Sequence, residues 1–168
     1  MDVLKKLEKD KDRFYFLSKE AADYILNLMK ARDVKTVLEV GTAKGYAAIL
    51  FAMNCESVTT VEKYTQQYKT ALDNILASKL NNIKIIHKDF LDLDLCCKFD
   101  MVFIDGNKGE TLACFKKALK FVNNDGLIIV DDIEKKKHRM EDFLKYVNNF
   151  NHMKLNIGHG LAIVNPLH

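Results

Sequence analysis

"VLEVGTAKGYAAILFA" (residues 37–52) opens with branched apolar residues, closes on an apolar run rich in alanine, and holds two glycines, a lysine and a carboxylate between. The first half has the composition of a strand buried on both faces, and the second half that of a helix. A glycine turn between such elements brings backbone N–H groups close to a ligand. The glycines are spaced G-x-x-x-G, Gly41 and Gly45, not the G-x-G-x-x-G of a dinucleotide fold, and no G-K-S/T follows as in a P-loop.

The rest of the chain repeats this alternation. Short apolar runs at 35–40, 57–62, 83–87, 99–105 and 126–132 predict five parallel strands. Helical patterns fill the gaps at 45–54, at 64–80 with Tyr68, Leu72, Ile75 and Leu76 on one stripe, and at 109–123 with Leu112, Phe115, Leu119 and Val122 inward. Residues 134–150 predict one further helix, and 153–165 two strands around Gly158-His159-Gly160. Upstream, Ser18 predicts an N-cap for the helix at 19–31. Strands alternating with helices mean βαβ crossovers and a doubly wound sheet.

The chain has 168 residues, 48% of them hydrophobic, and a single proline, Pro166, with no linker-like stretch. One α/β domain is expected over 1–168, with 1–17 a short N-terminal extension. A net charge of +3, from 26 Lys and Arg against 23 Asp and Glu, does not by itself announce a nucleic-acid binder. No apolar run is long enough for a membrane span and the N-terminus is charged, so the expectation is a cytoplasmic protein without membrane contact. Cys55, Cys96, Cys97 and Cys114 form no C-x-x-C pair and are expected to be reduced, mostly buried thiols.

Acids at successive strand ends narrow the ligand. Glu39, two residues before Gly41, would repel a phosphate and suits an ammonium or sulfonium group. Glu62 falls at the distance from the glycine turn at which a carboxylate accepts ribose hydroxyls in this topology. Asp89, after the third strand, is a candidate acceptor for an adenine amino group. Together they point to S-adenosylmethionine.

"VLEVGTAKGYAAILFA", followed by "VTTVEK", "IKIIHKDFLDL", "FDMVFIDGNK" and "GLIIVDDI", resembles the Rossmann-fold S-adenosylmethionine-dependent methyltransferases, in particular the catechol and caffeoyl-CoA O-methyltransferase-like group. The resemblance runs from about Ser18 to Val164. It implies a three-layer, Rossmann-like sheet of seven strands, mostly parallel, with the last antiparallel. The candidate cofactor-binding residues are Glu39, Gly41, Thr42, Ala43, Gly45, Tyr46, Ala47, Glu62, Lys63, Asp89, Phe90 and Asp105.

Asp105 ends the fourth predicted strand, and Asp131 and Asp132 end the fifth. If these strands are neighbours, the three carboxylates converge and repel one another, which a hard divalent cation such as Mg²⁺ would relieve. The resemblance implies metal binding by Asp105, Asp131 and Asp132, with Lys108 and Asp105 as the catalytic residues, Lys108 deprotonating an acceptor hydroxyl. It also marks departures: Asp132 where relatives carry Asn, Ala47 where many carry Ser, and a short segment before Ser18, which leaves the acceptor pocket open or completed by a second subunit in a homodimer. The implied acceptor is a hydroxyl of a small molecule or of a hydroxylated nucleoside in RNA. Two alternatives stay open: metal-independent transfer to nitrogen or carboxylate, and a non-catalytic cofactor-binding protein that serves RNA or a partner. His159 reads as a turn residue, the basic run Lys135–Arg139 as a solvated helix face able to attract phosphate, and Phe14, Tyr15 and Phe16 as packing residues.

Overall fold

A computed structural model describes residues 2–9 and 17–166; Phe14, Tyr15 and Phe16 lie outside them. Strands β1 (Thr36–Val40), β2 (Ser57–Glu62), β3 (Ile83–His87), β4 (Phe99–Ile104), β5 (Val122–Asp131), β6 (Asn151–Leu155) and β7 (Leu161–Asn165) form one sheet in the order β3-β2-β1-β4-β5-β7-β6. Neighbours pair in parallel except β7, antiparallel to both β5 and β6. This is the seven-stranded, doubly wound α/β sheet expected. The order reverses between β1 and β4, so their carboxyl ends open the crevice where such sheets bind ligands.

The central strands β1 and β4 and the second half of β5 are mostly apolar because both faces are covered. Val37, Met101, Phe103 and Ile129 face α2 (Lys19–Ala31), α3 (Tyr46–Ala52) and α4 (Thr65–Ser78), while Leu38, Val102, Ile104, Ile128 and Val130 face α5 (Thr111–Ala118) and α6 (Glu141–Tyr146). Phe51 meets Phe103 edge-on at 5.3 Å on the first face, and Phe115 meets Phe143 at 5.3 Å on the second. Helix α2 begins as expected, with the Ser18 hydroxyl accepting from Ala21 N–H at 3.2 Å.

Four expectations need correction. Val122 belongs to β5, not to the preceding helix: it pairs with Phe99, and the register shifts before Met101 meets Leu127. Leu76 is exposed, because α4 buries Ala71 and Ile75 instead. The helix predicted at 134–150 is broken into two short 3₁₀ turns around α6, since the N–H groups of Ile133, Glu134 and Lys135 bond to the carbonyls of Gly160 and His159. Of the cysteines only Cys114 is buried; Cys96 and Cys97 are exposed. The extension also has structure: α1 (Asp2–Glu8) packs on α3 and α4 and buries Leu7.

Candidate active site

The turn after β1 is shaped by left-handed backbone at Gly41 (φ +96°), Ala43 (φ +49°) and Gly45 (φ +85°). At Gly41 no side chain fits, because a Cβ would lie 2.6 Å from Gly106 Cα in the loop after β4. The Ala43 N–H donates to Glu62 Oε2 at 3.0 Å and the Tyr64 N–H to Glu62 Oε1 at 2.9 Å. Glu62 is thereby pinned at the end of β2, with lone pairs left for further donors.

Glu39 is 1% exposed and accepts a short hydrogen bond from the Thr60 hydroxyl, which lies 2.6 Å from that of Thr42. Burial, offset only in part by Thr60 and reinforced by Asp105 and Glu62, pushes its carboxyl up to about 8. A buried acid in this state is restored to its charged form by a cationic ligand group. It lines a small cleft with Thr42, Tyr46 and Ala47.

That cleft adjoins a cavity of about 630 Å³ at the crevice, and Gly41, Ala43 and Asp105 line both. Of the remaining predicted residues, Glu62, Lys63, Asp89, Phe90, Lys108, Asp131 and Asp132 line the cavity. Gly45 lines neither space and acts on the turn's conformation. Asp89 caps a short turn by accepting from Leu91 N–H at 2.9 Å. Lys63 Nζ bridges Asp89 Oδ2 at 3.5 Å and Glu110 Oε2 at 2.5 Å.

The other end of the cavity is an acid cluster around one lysine. Lys108 Nζ lies 2.5 Å from Asp105 Oδ1 and 3.1 Å from Asp132 Oδ2, and His159 Nδ1 lies 3.2 Å from Asp132 Oδ1. Asp131 Oδ1 accepts from Asp132 N–H at 2.7 Å, where Asp132 adopts φ +67°. Burial works against the Lys108 ammonium, yet Asp105, Asp132 and Asp131 outweigh it and raise its pKa above the ordinary value. Asp131 is pushed up to about 7, first by burial and then by Asp105 and Asp132. As arranged, Lys108 holds its proton.

Three carboxylates whose charge one ammonium does not balance are the donor chemistry of a hard divalent cation. Their arrangement differs from the expected open metal site, because the Lys108 ammonium stands among them, and among the described residues no three His, Cys, Asp or Glu are grouped to hold an ion. The set fits a cation in charge and donor type, provided that Lys108 gives up its ion pairs.

Several residues at the site were not singled out from the sequence. Glu110 meets Lys63 across 47 positions, and no spacing rule links them. His159, read as a turn residue, reaches Asp132 because β7 runs antiparallel beside β5. Lys135, Lys136 and Arg139 line the cavity instead of facing away from it. No helix among the described residues is long and apolar enough to cross a membrane.

Comparison with known proteins places the fold and the family. The fold matches the S-adenosylhomocysteine-bound methyltransferase PaMTH1 of Podospora anserina (TM-score 0.85, 15% identity, 98% of this chain and 87% of that one). It likewise matches the O-methyltransferase of Bacillus cereus in complex with S-adenosylhomocysteine (TM-score 0.83, 20% identity, 98% and 90%). A protein of Arabidopsis thaliana named for caffeoyl-CoA O-methyltransferase activity is 27% identical over 138 residues, 77% of this chain; the chain spans 56% of that relative's length. The sequence model of the O-methyltransferase family matches residues 2–156, and the chain belongs to that family.

Proposed function

We propose that this protein transfers the methyl group of S-adenosylmethionine to the hydroxyl of a small molecule or of a hydroxylated nucleoside in RNA. The observation that carries the reading is the placement of Lys108, buried among Asp105, Asp131 and Asp132 at one end of a cavity whose other end is the glycine turn and Glu62. In it, Glu62 accepts the ribose hydroxyls, Asp89 with Phe90 and Lys63 borders the adenine, and Glu39 faces the cofactor's ammonium group. The acceptor oxygen attacks the methyl carbon in line, the carbon–sulfur bond breaks with its electrons passing to sulfur, and the hydroxyl proton passes to Lys108 Nζ after Lys108 has released its own proton to solvent. Positioning and proton removal then supply most of the acceleration.

A divalent cation such as Mg²⁺ belongs to this reading at Asp105, Asp131 and Asp132, where it would stabilise the acceptor oxyanion and lower the pKa of Lys108. The central ammonium favours a second reading, in which Lys108 stays protonated and stabilises the acceptor oxygen, a carboxylate beside it takes the hydroxyl proton, and no metal cation is needed. Formation of S-adenosylhomocysteine with catechol as acceptor, with and without a chelator, tests both. Turnover lost to the chelator and restored by Mg²⁺ supports the first, turnover that survives supports the second, and no turnover with any hydroxyl acceptor overturns the proposal. A second copy of the chain is proposed to complete the cavity's outer side, because Lys135 and Arg139 at its rim stay exposed and Lys136 is half-buried.

A further inference from the structure

The charges of the cavity are distributed unevenly. On its floor every acid of the cluster has a bonding partner, and Lys63 is taken up by Glu110 and Asp89. At the rim stand Lys135, Lys136 and Arg139, and among the described residues none of the three pairs with a carboxylate. Lys135 Nζ lies 3.3 Å from His159 Nε2, and Arg139 Nη2 donates to Asn107 Oδ1 at 3.2 Å. Through these partners the two cations flank Lys108. One connects by way of His159 and Asp132, the other by way of Asn107, next to it in the chain.

The rim is also held in place. Ile133 and Met140, buried at 1% and 2%, anchor the ends of the basic segment. The N–H groups of Glu134 and Lys135 both bond to His159 O at 3.1 Å, and that of Lys136 to Asp132 O at 2.9 Å. Among the described residues these three cations lack a carboxylate partner, and the stapled backbone that carries them leaves little loop entropy to be lost when an anion arrives. Arginine and lysine together suit a phosphate, the first as a planar fork and the second as a point charge.

We infer that Lys135, Lys136 and Arg139 form an anion subsite for a phosphate group on the methyl acceptor, whose hydroxyl then faces Lys108. The inference rests on the methyltransferase reading and narrows its acceptor to a phosphate-bearing hydroxyl compound, whether a small ester or an RNA strand.

The test uses the full chain saturated with S-adenosylhomocysteine and inorganic pyrophosphate as calorimetric probe. Saturable binding is expected, weakened about tenfold for each cation removed in Lys136→Ala and Lys136→Ala/Arg139→Ala, and unchanged in Lys120→Ala, which removes an exposed charge outside the cavity. Absent binding, or equal loss in the Lys120 variant, overturns the inference while leaving cofactor binding untouched. Should S-adenosylhomocysteine itself not bind, the cofactor reading fails, and pyrophosphate titrated alone still decides the subsite. Displacement of pyrophosphate by a short single-stranded RNA more tightly than by a phenyl phosphate assigns the phosphate to a polynucleotide; the reverse order assigns it to a small ester. Catechols that differ only in bearing phosphate or no charge should differ at least tenfold in kcat/KM, and the double variant should erase that difference.

Discussion

Lys108 Nζ and Asp132 Oδ2 lie 3.1 Å apart, and the other oxygen of Asp132 is 3.2 Å from His159 Nδ1. Asp132 thus ties the buried lysine in the loop after β4 to the turn before β7. Replacing it with Asn removes a negative charge from beside Asp131, which Asp132 helps to push up to about 7. In Asp132→Asn the Asp131 carboxyl should titrate at lower pH, as followed by carboxyl-carbon NMR. An unchanged titration would contradict the like-charge account.

Lys108→Ala should cut turnover by about a hundredfold or more, the range for loss of a general base, while S-adenosylhomocysteine affinity stays within about twofold because the glycine turn is untouched. The same substitution frees three acids of their competing ammonium, so Mg²⁺ should bind about tenfold more tightly in calorimetry. Weaker Mg²⁺ binding in Lys108→Ala would show that the lysine and the ion do not share these carboxylates.

Glu39 gives a stability prediction with a definite sign. Its folded pKa, about 8, is raised above the ordinary 4.5, mainly by burial. The folded state therefore holds a proton that the unfolded state loses, and the associated stability is full below about 4.5 and disappears as pH rises through about 8. Glu39→Gln should be close to neutral for stability at pH 5 and stabilising by roughly a few kcal/mol at pH 8.5, measured by urea denaturation. Its affinity for S-adenosylmethionine should fall, since the amide offers no charge to the cofactor's ammonium.

Gly41 and Gly45 share a left-handed backbone but not a neighbourhood. A Cβ on Gly41 meets the backbone of Asp105 and Gly106 within 2.8 Å, whereas one on Gly45 meets nothing closer than 3.5 Å. Gly45→Ala should cost about 1–2 kcal/mol from backbone strain alone. Gly41→Ala should cost about 3 kcal/mol or more, because overpacking adds to the strain. Equal losses in urea denaturation would remove the close approach of the two loops from the account.

The sheet was largely legible because double-faced burial gives β1, β4 and the second half of β5 short, mostly apolar runs, a pattern local in sequence. The limits lay where distant backbone decides. Val122 leaves the helical pattern because Phe99 pairs with it, and residues 133–135 give their N–H groups to His159 and Gly160 instead of to a helix. The same holds for the site. Glu39, Glu62, Asp105 and the Asp131-Asp132 pair announce themselves at strand ends, whereas the Lys63–Glu110 bridge and the approach of His159 to Asp132 exist only in the folded chain.

The central proposal is that the cavity holds a sulfonium nucleoside against the glycine turn, with Glu62 gripping its ribose. Calorimetric titration of the pure protein with S-adenosylhomocysteine, for the native chain and for Glu62→Ala, tests this most directly. Stoichiometric binding that weakens about tenfold or more in the variant is the predicted result. No uptake by the native chain, or uptake of equal strength by both proteins, would contradict it.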